Sequence, residues 1–454
     1  MVMVAQSLPE INRFAMLSGL KKSAQTAMIR VAAAFVLHLG RMSAVQAAGA
    51  IQTAPRHRAQ VCRSLGRKFW SKYDPLKALQ AALLGCEAAR GGRFVFILDQ
   101  TLHGQQGKKT ENTYGTGNRK RRPRKGARYS KYKYAHKSCH CFVMGLLITP
   151  GGIRVPFFKP FYTKEYCEKT KRPFRKQTEL AADLIRELPL SEGTEVVVLG
   201  DTAFDAETIR AACDECGYSW IVPLNPERVL AGPKPRPRVK SLVSTFGPSQ
   251  FQTIRLYPGC GEPAAYGRTS PYRIGPKVKP RTYYVHQERR EVHSVGAVRL
   301  VFSTRKSPRE TGKVDVEKIL MTGNLKLSTR TIVELYYLRW QIELFFKELK
   351  STLGMCNYRF REFARVERWV AMALITFVYL EWYRARQLAR RDLSEKERRW
   401  WEWQRTHGLC QAIRQRAARA DLKYLVQRLK TPGGIQRLRR ELTAAYPAEY
   451  RSPA

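Results

Sequence analysis

Acidic residues are scarce in this chain, with 37 Asp plus Glu against 82 Lys plus Arg and a formal net charge of +45 at pH 7. A surface so one-sided repels itself unless a polyanion covers it, which makes nucleic acid the expected partner ahead of an anionic membrane. Long apolar runs are missing too. The longest, Trp369 to Leu380 between Arg368 and Glu381, is far short of the about 20 residues that span a bilayer, so a buried helix is expected and no membrane partner. Residues 31–37 (VAAAFVL) follow Lys21, Lys22 and Arg30 somewhat as a signal peptide does, but they run on into HLGRM without a convincing cleavage site, and a cytoplasmic protein is expected. The ten cysteines are scattered and would be reduced there. Neither the Cys213/Cys216 pair nor Cys139, His140 and Cys141 near His136 supplies four zinc ligands in spaced pairs, so buried small side chains are the expectation. No internal repeat is visible.

What the chain does have is length and a 44% apolar content over 454 residues, enough for two or three domains. Residues 1–90 are Ala-rich and helical in pattern. Within them two short helices separated by a turn, the second opened by Pro55 and carrying Arg56, Arg58 and Arg63, suit a helix-turn-helix in a DNA groove or equally a solvated basic helix of a bundle. At Gly91 the pattern changes. RFVFILDQT reads as a strand buried in mid-sheet that ends on Asp99, with no helix beginning there for the acid to cap. A loop rich in Arg121, Arg122, Arg124 and Lys125 with interleaved tyrosines follows, and beside such a strand it is read as a phosphate-gripping segment. CFVMGLLIT and IRVPFFKPFY, joined at Pro150-Gly151-Gly152, form a hairpin pattern. EVVVLGDTAFDAETIR then gives a second buried strand turning into a helix. Asp201 at the strand exit is assigned to chemistry, and Asp205, where an acid favours a helix N-terminus, to capping.

Between residues 226 and 327 basic, Pro-rich stretches alternate with strand patterns, FQTIRLY, RTYYVHQERREVHSV, AVRLVFST and EKILMTG. The stretch Ser328 to Gly354 then reads as one long helix. At about 100° per residue, Tyr336, Arg339, Glu343, Lys347 and Lys350 share a sector of roughly 80°, a polar stripe beside apolar Leu335, Leu338, Ile342, Phe345, Phe346, Leu349 and Leu353. Glu348 lies about 140° from Glu343 and is expected to miss the site. Beyond it, Arg365 to Arg386 reads as a buried aromatic-rich helix, and residues 391–454 as charged helix.

The spacing Tyr336, two residues, Arg339, three residues, Glu343, six residues, Lys350 resembles the Tyr-Arg-Glu-Lys signature of bacterial insertion-sequence transposases of the family numbered four, DDE enzymes on a ribonuclease-H-like fold. The resemblance implies an α/β fold, a ribonuclease-H-like mixed-sheet catalytic core (residues 91–225 and 328–390) interrupted by an all-β insertion (226–327), with helical regions at 1–90 and 391–454. It implies Asp99, Asp201 and Glu343 as catalytic acids and metal ligands, with Tyr336, Arg339 and Lys350 gripping phosphates and Lys347 beside them. Three carboxylates at one point repel unless cations are shared, and hard oxygen ligands suit two Mg²⁺ or Mn²⁺ ions. The expected activity is cutting at insertion-sequence ends and transfer of the 3′-hydroxyl strand to target DNA, by a bacterial, nucleoid-associated homodimer on double-stranded terminal repeats, with no small-molecule cofactor. A ribonuclease-H-like nuclease without strand transfer and a non-catalytic helix-turn-helix regulator are the alternatives.

Overall fold

Continuous apolar runs become the central strands, and their order decides where the acids lie. The structure, a computed structural model, describes residues 8–37, 65–66, 74–85, 91–104, 110–115, 138–256, 281–437 and 440. Helices α1 (Ile11–Met16), α2 (Lys22–Leu37) and α3 (Pro75–Gly85) precede β1 (Phe94–Gly104), β2 (Cys139–Ile148) and β3 (Arg154–Pro160). Next come α4 (Lys164–Thr170), α5 (Gln177–Arg186), β4 (Val196–Leu199), α6 (Glu207–Glu215), β5 (Ser219–Pro223) and β6 (Gln252–Leu256). The chain continues through β7 (Arg281–Val292), β8 (Gly296–Thr304), α7 (Pro308–Thr311), β9 (Lys318–Thr322), α8 (Thr329–Tyr337) and α9 (Trp340–Lys347). A π-helical turn (Glu348–Thr352) follows, then α10 (Phe363–Leu388), α11 (Glu395–Trp403) and α12 (Thr406–Leu429).

The nine strands form one sheet in the order β3-β2-β1-β4-β5-β9-β8-β7-β6. β1, β4 and β5 are parallel to one another, and the other pairings are antiparallel. All four residues of β4 and all ten of β2 are buried, the pattern of strands covered on both faces. The expected α/β fold with a mixed sheet is therefore present. The four strands expected between residues 226 and 327 are all there, and the last, β9, joins the core sheet beside β5 through Val222↔Met321 and Pro223↔Leu320. With α7 and two 3-10 turns among them, the stretch is β-rich and not purely β.

The apolar run in the C-terminal half becomes α10, whose residues from Trp369 to Leu380 are buried but for Ala371. It packs on β3, α2 and α3, with the rings of Phe35 and Trp369 4.9 Å apart and those of Phe14 and Tyr379 5.4 Å apart. Among the described residues no helix is long and apolar enough to cross a membrane. Cys139, Cys141 and Cys213 are buried free thiols, as small apolar side chains would be. The candidate recognition helix with Arg56, Arg58 and Arg63, and the basic loop with Arg121, Arg122, Arg124 and Lys125, lie outside the described residues.

Ser328 to Gly354 is not one uninterrupted helix. Ser328 caps α8, its hydroxyl accepting from the Thr331 amide at 3.1 Å, and Gly354, at φ 66°, ends the segment. Between them, i→i+3 bonds replace α-helical ones at the joint: Leu338 N to Leu335 O, Arg339 N to Tyr336 O and Gln341 N to Leu338 O. Beyond Lys347 the turn loosens, with Leu353 N donating to Glu348 O. The segment is overwound before Glu343 and underwound after it, so a uniform 100° step does not hold along the stripe.

Candidate active site

Two of the acids are placed by the ladder between β1 and β4. Ile97 pairs with Leu199 in parallel register, and Asp99 and Asp201 each lie two residues further on, so both leave the paired region at one level of adjacent strands. β1 itself runs on to Gly104 against β2, so Asp99 sits inside a strand and not at its end. Only its parallel partner has stopped there. Gly200 allows the turn after β4, since a Cβ there would come within 2.8 Å of the Phe204 Cβ. Asp201 then caps the 3-10 turn Thr202–Phe204, accepting from the Ala203 amide at 2.9 Å.

Asp205 does not cap α6 as expected, because it is drawn inward by two guanidinium groups. Arg210 Nη1 lies 2.6 Å from its Oδ1 and Arg228 Nε 2.8 Å from its Oδ2, with the Asp205 side chain only 4% exposed. The N-cap of α6 is Ala206, which has no side-chain cap. Asp205 is thereby neutralised within the fold, and Asp201 is the acid of this pair left facing solvent.

Helix α9 packs on β1 and brings the third acid in. Arg339, in the joint between α8 and α9, spans two carboxylates: Nη2 donates to Glu343 Oε1 at 2.7 Å, and Nη1 lies 3.6 Å from Asp99 Oδ2. The other Asp99 oxygen accepts from the Gln100 amide at 2.7 Å. Burial above all, with Asp201 and Glu343, pushes the Asp99 carboxyl up to about 6 against the pull of the Gln100 amide and of Arg339. The phenol of Tyr336 is pushed up to about 12, first by burial and also by Asp201 and Asp99.

The remaining members of the stripe diverge. Lys350 donates to the Leu102 carbonyl at 3.5 Å and lies 5.7 Å from the Phe346 ring centroid, further along β1 than Asp99. Lys347 is exposed. Glu348 faces away from Asp99, as expected, into a buried cluster with Arg154. Trp340 is 56% exposed beside Arg339.

Lys318 is a neighbour that sequence spacing does not single out. Its ammonium sits 5.0 Å from the Tyr336 ring centroid, and its pKa is lowered by burial and then by Arg339. Only the β5–β9 pairing brings it here, and no local pattern announces that pairing.

Among the described residues no three His, Cys, Asp or Glu side chains are gathered into a metal cage. The donors clustered here are carboxylates alone, which suits Mg²⁺ or Mn²⁺ in kind, while Arg339 holds the position between two of them.

The nine-stranded mixed α/β sheet with its many helices is a ribonuclease-H-like fold of the DDE type. Comparison with known families agrees: the family described as DDE superfamily endonuclease matches residues 15–244, and the one described as Transposase DDE domain matches residues 175–379. The chain belongs to the DDE superfamily endonucleases, and its function is of the transposase type. No curated protein matches the chain.

Proposed function

We propose that the protein is a DNA transposase of the insertion-sequence family numbered four, cutting at the ends of its element and joining the freed 3′-hydroxyl strand to target DNA. Asp99, Asp201 and Glu343 are its catalytic carboxylates in this reading. The observation that supports it most is Arg339 tying Asp99 to Glu343, with Asp201 at the matching position of the adjacent parallel strand, because these acids come from distant segments and packing alone does not call for them at one end of the sheet. Divalent cations held by them, Mg²⁺ or Mn²⁺ as a pair, would supply an activated oxygen nucleophile and stabilise the leaving oxygen.

The chain's own residues bind and orient the DNA. Arg339 offers a phosphate two parallel donors, Lys350 and the exposed Lys347 offer point charges, Tyr336 braces Arg339, and Lys318 adds a cation that the signature lacks. Trp340 is exposed and available for stacking on a base. The basic loop with Arg121, Arg122, Arg124 and Lys125, and the N-terminal Arg56, Arg58 and Arg63, extend the phosphate contacts. Joining two ends calls for a homodimer on DNA. The helical 1–90 and 391–454 regions flank the core, and the β-rich stretch 226–327, whose last strand joins the core sheet, holds the element's end.

The test is direct. Full-length protein is incubated with Mg²⁺, supercoiled target and duplexes carrying the DNA that flanks its reading frame. Nicks at a terminal repeat and joined products are expected. Cutting without joining would favour a plain nuclease, and binding without cutting would leave only a regulator.

The raised Asp99 carboxyl adds a pH dependence. Its folded-state value of about 6 lies above the usual 3.8, so its contribution to stability is fully present below 3.8 and is lost as pH rises through about 6. Ligation runs the other way, since only the ionised carboxylate binds a cation. At limiting divalent cation, cleavage is expected to fall as pH drops below about 6 and to recover with added cation, measured as initial rates against pH at two Mn²⁺ concentrations.

A further inference from the structure

We propose that Arg339 is a displaceable counter-ion: its guanidinium and a divalent cation compete for the carboxylates of Asp99 and Glu343, and a phosphate of bound DNA draws it away. DNA binding and metal loading are then coupled through one side chain. This rests on the reading of Asp99 and Glu343 as metal ligands and goes beyond it, because it gives Arg339 one role before DNA arrives and another after.

Three observations carry it. First, Arg339 bonds Glu343 at 2.7 Å and approaches Asp99 at 3.6 Å, with its side chain 17% exposed. The positive charge therefore already lies between two oxygens that a cation would need. A guanidinium there repels a divalent ion and covers part of its ligand set, so the two exclude each other.

Second, the residue stands at the joint between α8 and α9, where i→i+3 bonds replace the α-helical ladder. A side chain on such a joint is not locked into a helix face on both sides, and a small change in backbone turn re-aims it. Third, its surroundings favour departure toward an anion. Lys318 and Tyr336 flank it, so a phosphate arriving here meets a second cation and a phenol as well as the guanidinium. The same two parallel donors that grip carboxylates fit a phosphate.

Linkage makes the consequence reciprocal: if DNA removes the competitor, bound DNA tightens metal binding, and metal tightens DNA binding by the same factor. Metal loading away from DNA is suppressed.

The experiment measures Mn²⁺ binding to the full chain by the electron paramagnetic resonance signal of free Mn²⁺, with and without the flanking-DNA duplex. Without DNA, Arg339→Ala is expected to bind Mn²⁺ about tenfold more tightly than wild type. The duplex is expected to tighten wild type by a similar factor and to leave the variant unchanged. Arg339→Gln, which keeps hydrogen bonding and loses the charge, should behave as Arg339→Ala does, and circular dichroism of both verifies the fold. If neither variant binds Mn²⁺ more tightly than wild type while Asp99→Asn and Glu343→Gln abolish binding, the counter-ion role is overturned and the ligand assignment stands. If Asp99→Asn and Glu343→Gln bind Mn²⁺ as wild type does, the ligand assignment itself falls.

Discussion

Asp99→Asn, Asp201→Asn and Glu343→Gln are each expected to lower cleavage of the element's end by roughly a thousandfold, the loss of several kcal/mol of transition-state stabilisation. Folding and DNA binding should persist. Each change keeps the side-chain volume and removes only a negative charge. At Asp99 that charge is itself held at a cost, since burial raises its pKa to about 6, so Asp99→Asn is expected to leave stability unchanged or slightly improved near neutral pH. The controls must be chosen from the structure. Asp205 and Glu348 pair with other arginines than Arg339, but each is buried against its partner, and neutralising either would disturb the fold. Glu207, exposed in the first turn of α6, is the better control, and Glu207→Gln should retain full cleavage. The readouts are initial cleavage rate and duplex affinity, measured side by side. Equal loss in Glu207→Gln and the three acids would point to damage unrelated to chemistry.

The second large effect concerns stability. Arg154 is fully buried and bonds Glu381 at 2.8 Å and Glu348 at 2.7 Å, while Arg384 bonds Glu381 at 2.6 Å. Thr406 also donates to Glu348, at 3.1 Å. The cluster balances two guanidinium groups with two carboxylates and ties β3, the π turn, α10 and α12 together. Arg154→Ala leaves Glu348 and Glu381 without their shared partner and is expected to cost about 3–5 kcal/mol, read as the shift in a urea unfolding curve. The pH dependence gives a second readout. Burial alone would raise the Glu381 carboxyl, but Arg384 and Arg154 together hold it down at about 2. Its contribution to stability is present above the usual 4.5 and is lost as pH falls through about 2. Without Arg154 that loss should begin at higher pH. Because Glu348 opens the π turn just beyond Glu343, the variant is also expected to lose cleavage in the fraction that stays folded.

Much of this was legible in the sequence, for reasons that differ by residue. Unbroken apolar runs around Asp99 and Asp201 announce buried strands, and burial on both faces leaves few arrangements except a central parallel pair. The hairpin at Pro150-Gly151-Gly152 and the long apolar α10 are equally local signals. What stayed hidden depends on distant partners. Asp205 fits a cap by position, but Arg210 and Arg228 reach it through tertiary folding. The helical step around Arg339 and Glu348 departs from 100° where the joint tightens and the π turn loosens, so the helical wheel places the stripe only coarsely. The strand pattern around Ile319 is legible, but its partner β5, and with it the place of Lys318 beside Tyr336, is set by tertiary folding. Arg339 bridging two acids is likewise a fact of the fold, since its contact with Asp99 joins segments on either side of the β-rich stretch.

The most direct measurement is anomalous diffraction from crystals of the protein bound to its DNA end and soaked in Mn²⁺. Two peaks are expected about 3.5–4 Å apart, bounded by carboxylate oxygens of Asp99, Asp201 and Glu343, with Arg339 turned onto a phosphate. A cleavage-competent crystal whose Mn²⁺ lies on other side chains, with these three acids unligated, would contradict the assignment.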